Sequence, residues 1–161
     1  MRRLHTLSIY IGMLCLMMGL LGLPLLTSCQ DNLYYTLYQD LPEHQWDSND
    51  TLYFSIPPTE HDLDVAVTFS VRTTPSFRYQ GIVARAELLD GNAVVSSLPI
   101  NITLYGNNEE SAHDGVLQNE SYSKPQALHM QANHNYTLRV THLMRLNPLD
   151  EVNSVGVIVE R

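Results

Sequence analysis

The sequence predicts an all-β protein: a single antiparallel β-sandwich of about eight strands, immunoglobulin-like or jelly-roll-like, behind an N-terminal leader. Three observations carry this. From Leu63 to Arg72, apolar and polar residues alternate: Leu63, Val65, Val67, Phe69 and Val71 fall on one face, Asp64, Ala66, Thr68, Ser70 and Arg72 on the other. A period of two means a strand with one buried face. Shorter stretches of the same kind recur along the chain, separated by clusters of Gly, Pro, Asn and Asp. After the leader, no stretch carries helical periodicity for three turns.

The leader comes first. Arg2 and Arg3 precede an apolar run from about Ile9 to Leu26, which ends at Leu26-Thr27-Ser28-Cys29. A basic start, an apolar stretch and small residues at a cut site make a secretory signal peptide. Leucine, two small residues and cysteine form a lipobox. Small Thr27 and Ser28 let the backbone enter a peptidase, the Cys29 thiol takes a diacylglycerol, and cleavage frees an amine for a further acyl chain. The competing reading is a transmembrane anchor, which Gly12, Gly19, Gly22 and Pro24 weaken. Residues 1–28 are therefore expected to be signal peptide, 29–32 the lipidated cysteine and a short tether, and 33–161 the sandwich. Lipidation on Cys29 would anchor the chain without a spanning helix. Gln30, in place of an aspartate after the cysteine, favours the outer membrane; Asp31 alone is a poor match for the acidic run that directs lipoproteins to the cell surface, so the periplasmic face is expected.

The strands follow in order. Leu33 to Tyr38 is tyrosine-rich and reads as a first strand. Leu41 to Trp46 and Ser48 to Asp50 read as turns. Thr51 to Ile56 places Leu52, Phe54 and Ile56 together and stops at Pro57-Pro58, because proline donates nothing to a ladder. Tyr79 to Leu89 aligns Ile82, Ala84, Ala86 and Leu88, then Asp90-Gly91-Asn92 turns. Val94 to Tyr105 aligns Ile100, Ile102 and Leu104 beyond Pro99. Gly106 to Lys124 is polar throughout and reads as the longest irregular stretch, a mobile loop. Gln126 to Met130 is a short strand, and Asn133-His134-Asn135 a turn. Tyr136 to about Leu143 points Tyr136, Leu138 and Val140 inward, with His142 interrupting that face. Asn147-Pro148 and Asp150 mark a loop with room for one helical turn. Val155, Val157 and Val159 close the domain.

Composition narrows function. Losing Arg2 and Arg3 with the leader takes the formal charge from −8 to −10, and Lys124 is the one lysine in the chain. Tracking phosphates needs clustered Lys and Arg, so no nucleic-acid partner is expected. Cys15 leaves with the leader and Cys29 is acylated, so the folded part relies on its apolar core without a disulfide.

Several segments resemble the gliding-motility lipoprotein H (GldH) family of the Bacteroidota. They are Trp46 with Asp50 and Phe54; Phe69-Ser-Val-Arg72-Thr-Thr with Phe77 and Tyr79; and Tyr136-Thr-Leu-Arg-Val-Thr-His-Leu-Met144-Arg145, with Leu149 and Val155-Gly156-Val157. They occur in the family's order. Between Tyr105 and Tyr122 the chain departs from it, lacking the tryptophan that the family tends to carry there. The resemblance implies a non-enzymatic outer-membrane lipoprotein that supports gliding or the associated protein-secretion machinery. Its partners would be the membrane, through lipid on Cys29, and other envelope proteins. A glycan- or peptide-binding module of the envelope is the alternative.

Other residue groups carry weaker signals. His129 and His134 flank a turn, with no Cys or carboxylate at ligand spacing, so neither a metal nor a cofactor is expected. Asp40, Glu43, His44, Asp47 and Asp50 crowd one region but sit on apparent loops without a nucleophile, so no catalytic residue is assigned. Trp46 reads as a core plug. Arg72, Arg139 and Arg145 read chiefly as partners of carboxylates across a sheet. Tyr34, Tyr35 and Tyr38 form a candidate patch near the anchor. The candidate partner surface is the loop from Leu146 to Asn153 with the residues before it, represented by Met144, Arg145 and Leu149. It is more apolar than a solvated loop needs, although such side chains more often plug the end of a sandwich.

Overall fold

The computed structural model describes residues 32–104, 109–113 and 116–161. The leader and Cys29 lie outside the described residues. Among the described residues twelve strands follow in chain order: β1 (Leu33–Asp40), β2 (Gln45–Trp46), β3 (Leu52–Ile56), β4 (Leu63–Thr73), β5 (Gly81–Asp90), β6 (Ala93–Thr103), β7 (Glu109–His113), β8 (Val116–Tyr122), β9 (Gln126–Met130), β10 (Tyr136–His142), β11 (Leu149–Asp150) and β12 (Val152–Glu160). All pairings among them are antiparallel.

The alternation from Leu63 to Val71 becomes β4, at the centre of the larger sheet. That sheet runs β1-β12-β4-β8-β7, with β9 also on β4. The smaller sheet runs β3-β10-β5-β6. Each turns one face inward. Val65, Val67, Phe69 and Val71 of β4, with Val155, Val157 and Val159 of β12, meet Phe54, Ile82, Leu88, Ile100 and Leu138 from the other sheet. Full burial of each such side chain is worth roughly 1.5–3 kcal/mol, and Val67, Phe54, Leu138 and Val157 have no exposed surface at all. The predicted all-β antiparallel sandwich is the fold observed.

Two strands share one edge of β4. β9 pairs with Leu63–Val67 and β8 with Ser70–Thr73. The break between them falls at Ser123-Lys124-Pro125. There Ser123 fills the ladder: its N–H donates to the Phe69 carbonyl at 2.8 Å, and its Oγ accepts from the Phe69 N–H at 3.0 Å.

Three expectations are corrected. The stretch Gly106–Lys124 is not one irregular loop, because β7 and β8 pair as a hairpin that extends the larger sheet. Such pairing runs through backbone groups and needs no apolar alternation; the Asp114-Gly115 dipeptide between the strands is a hairpin signal that the polar composition hid. His142 does not interrupt the inward face of β10 but continues it, at 2% exposure. The loop after Pro148 holds no helical turn, since Leu149–Asp150 pairs with Gln45–Trp46. The Asp90-Gly91-Asn92 turn does join β5 to β6, with Gly91 at φ 59°.

Candidate functional site

Two arrangements use residues that the sequence singled out. The first lies on the outer face of the larger sheet. Register aligns Tyr38 of β1 with Gly156 of β12, and Gly156 with Ser70 of β4. Residue 156 must lack a side chain, because a Cβ there would stand 2.4 Å from the Tyr38 ring. The ring lies over that gap with the Arg72 guanidinium 3.8 Å from its centroid, a cation–π contact. The Tyr38 hydroxyl and the Ser70 hydroxyl each donate to Glu120 Oε1 at 2.7 Å. Arg72 Nε stands 3.4 Å from the same oxygen, an ion contact and not a hydrogen bond.

Burial alone would raise the Glu120 carboxyl. The Tyr38 and Ser70 hydrogen bonds and the Arg72 charge outweigh it, so the net direction is down. Burial, then Glu120, pushes the Tyr38 hydroxyl up. The carboxylate is thus held ionised and already engaged. Through these contacts the cluster fastens four strands together.

The second arrangement closes one end of the sandwich. β2 and β11 bring Trp46 opposite Leu149. The Trp46 ring meets His142 edge-on, 5.2 Å between centroids, and its Nε1 donates to the Asp50 carbonyl at 3.3 Å. Asn147 ties the two loops together: its Nδ2 donates to Asp47 Oδ1 at 3.0 Å, and its Oδ1 accepts from the Ser48 N–H at 2.7 Å. The Asn49 N–H, then Asn147, lowers Asp47 below the usual carboxylate range. His142 Nδ1 accepts from the Met144 N–H at 3.3 Å, which leaves Nε2 as the protonated nitrogen of a neutral ring. Burial pulls His142 below its ordinary value.

The sequence-predicted residues divide accordingly. Leu149 is 1% exposed and packs in the core, so it cannot touch a partner; it is the plug. Met144 is half-buried against the core, with its Sδ accepting from the Val83 N–H at 3.3 Å. Arg145 is exposed. Trp46 is the core plug expected, at 2% exposure. Arg72 and Arg139 pair with Glu120 and Glu87, whereas Arg145 has no carboxylate partner among the described residues. The three tyrosines of β1 do not make a patch: the Tyr34 hydroxyl donates to the Pro57 carbonyl at 2.9 Å, the Tyr35 hydroxyl is buried, and Tyr38 is held as above. Asp40, Glu43, His44, Asp47 and Asp50 do not converge on a reacting position; Asp47 is committed to the two asparagines. His129 and His134 each face one aspartate, Asp64 and Asp90, at 2.7 and 2.6 Å. Among the described residues no three His, Cys, Asp or Glu side chains gather as a metal site. Sequence reasoning missed Tyr38, Gly156 and Glu120 as one unit, because only strand order brings them together.

A family model described as GldH lipoprotein matches residues 33–159. The chain belongs to the GldH lipoprotein family. The match takes in both arrangements and runs from the first residue of β1 to the penultimate residue of β12. No curated protein and no solved structure matches the chain. GldH lipoproteins are not a known enzyme family. Among the described residues no helix is long and apolar enough to cross a membrane.

Proposed function

We propose that this GldH-family protein is a non-enzymatic component of the outer membrane, held on the periplasmic face by acyl chains on Cys29. In this reading it supports gliding motility or the associated secretion machinery by docking another envelope protein. The observation that carries it is the family match over residues 33–159. In support of it, the Glu120 carboxylate is engaged by the Tyr38 and Ser70 hydroxyls and stands beside Arg72, an arrangement that braces strands. The docking surface in this reading includes Met144 and Arg145, while Leu149 belongs to the buried core.

The glycan-binding alternative needs coplanar exposed aromatics on one face. The two tyrosines exposed among the described residues, Tyr53 and Tyr122, lie on different sheets. The test is a deletion strain complemented with wild type or Cys29→Ser, labelled with an alkyne fatty acid and scored for membrane fraction, gliding and secretion. Labelling and outer-membrane recovery should vanish in Cys29→Ser, and gliding or secretion should fail in the deletion. Equal labelling of both forms would refute the anchor; intact gliding and secretion would refute the role.

A further inference from the structure

β5 and β10 lie side by side, and the Leu143 N–H donates to the Val83 carbonyl at 2.8 Å just beyond the last ladder pair, His142–Ala84. Val83 and Leu143 therefore neighbour each other across the strands on the outer face of the smaller sheet, 45% and 47% exposed. Leu146, three residues on, is 52% exposed. A depression of about 520 Å³ has Val83 and Met144 in its lining. Val83 and Leu143, exposed side by side on a water-facing sheet, mark a contact surface that exposed Leu146 continues along the chain.

Charge says what kind of contact. The chain is strongly acidic, yet Arg85, on the same face of β5 as Val83, and Arg145, beside Leu146, have no carboxylate partner among the described residues. The carboxylate that follows Arg85 on the same face of β5, Glu87, is paired with Arg139 at 2.6 Å and so leaves Arg85 unpaired. Fixed positive charge around an apolar patch selects a partner with the opposite sign and excludes basic surfaces.

We propose that Val83, Leu143 and Leu146, rimmed by Arg85 and Arg145, dock an acidic segment of another envelope protein that carries apolar side chains among its carboxylates. This rests on the docking role above and names the partner's chemistry.

The test places a photo-cross-linking amino acid at Leu146 of the full-length protein in its host and maps the adduct to residues. The expected adduct falls beside an Asp/Glu-rich segment of one dominant protein. Its yield drops about tenfold or more in R85E/R145E and stays near wild type in R85K/R145K. Should the reversal fail to fold, raising the salt from about 0.05 to 0.5 M in permeabilised wild-type cells must lower the yield. Adducts on lipid, on a second copy of this chain, or on a neutral or basic segment overturn the proposal, as does absence of any adduct. So does a yield indifferent to both charge reversal and salt. A mapped acidic partner in a host whose gliding and secretion survive deletion would overturn the function and leave this surface standing. The deletion phenotype without such a partner would do the reverse.

Discussion

Gly156→Ala isolates the outer-face cluster. The new methyl would lie 2.4 Å from Tyr38 Cε1, against the 3.4 Å of ordinary contact, so the ring must retreat by about 1 Å. It is not free to do so, since its hydroxyl is fixed on Glu120 and its face on Arg72. Losing a hydrogen bond to a charged acceptor costs about 1.5–3 kcal/mol, and losing a partly exposed cation–π contact about 0.5–1 kcal/mol. Replacing glycine returns roughly 0.5 kcal/mol by restricting the unfolded chain. The net expectation is a loss of about 2–3 kcal/mol, or roughly 10 °C in Tm for a domain of this size. Urea and thermal unfolding followed by circular dichroism measure it. The decisive comparison is Gly156→Ala in a Tyr38→Ala background, where the methyl meets open space and the cost should nearly disappear, giving a coupling of about 2 kcal/mol. Equal costs in both backgrounds, or a loss under about 0.5 kcal/mol in the first, would refute the reasoning.

Two further outcomes test the rest of the fold. Val67→Asp puts an unpaired charge at a fully buried position of β4 and should cost at least about 4 kcal/mol; an unchanged melting temperature would contradict the sandwich core. His142 is lowered by burial, so below the ordinary histidine value of about 6.5 the unfolded chain takes up a proton that the folded chain resists. Its contribution is therefore complete above about pH 6.5 and is lost as pH falls towards the folded value. Unfolding midpoints at about pH 7.5 and 5.5 should differ more in wild type than in His142→Gln, and equal differences would remove His142 as the cause.

Much of this was legible in residue order. The Leu63–Val71 alternation located the central strand because one face of β4 is packed and each side chain must choose a side. The arginines at 72 and 139 were readable as structural partners because a cation on a sheet face finds a carboxylate across it. What stayed hidden depends on position in space. His142 looked like an interruption because its polarity is visible in the sequence, while the Trp46 edge and the Met144 N–H that accommodate it are not. The β7–β8 hairpin was concealed by polar composition, since backbone pairing leaves no hydrophobic signature. Leu149 resembled surface because it follows an exposed leucine and a proline, but pairing with Trp46 turns it inward.

The placement of β1 has a mechanical consequence. The strand enters the sheet at Leu33, opposite Glu160, four residues after the proposed acyl anchor, and leaves it at Asp40, opposite Ser154. The Leu41 N–H then bonds the Asn153 carbonyl, on the side where Trp46 and Leu149 close the sandwich. A partner held at Met144 and Arg145 would thus load the molecule against its anchor along the length of β1, about 26 Å for a strand of this kind. Tension in that direction shears the ladder between β1 and β12, so its hydrogen bonds share the load and do not yield one after another. Tyr38, two residues from the far end of β1, works as a stop against that sliding: to slip past Gly156 its ring must first leave Glu120 and Arg72. Were the chain pulled between the proposed anchor and a docked partner, the cluster that holds these strands together would also act as a brake.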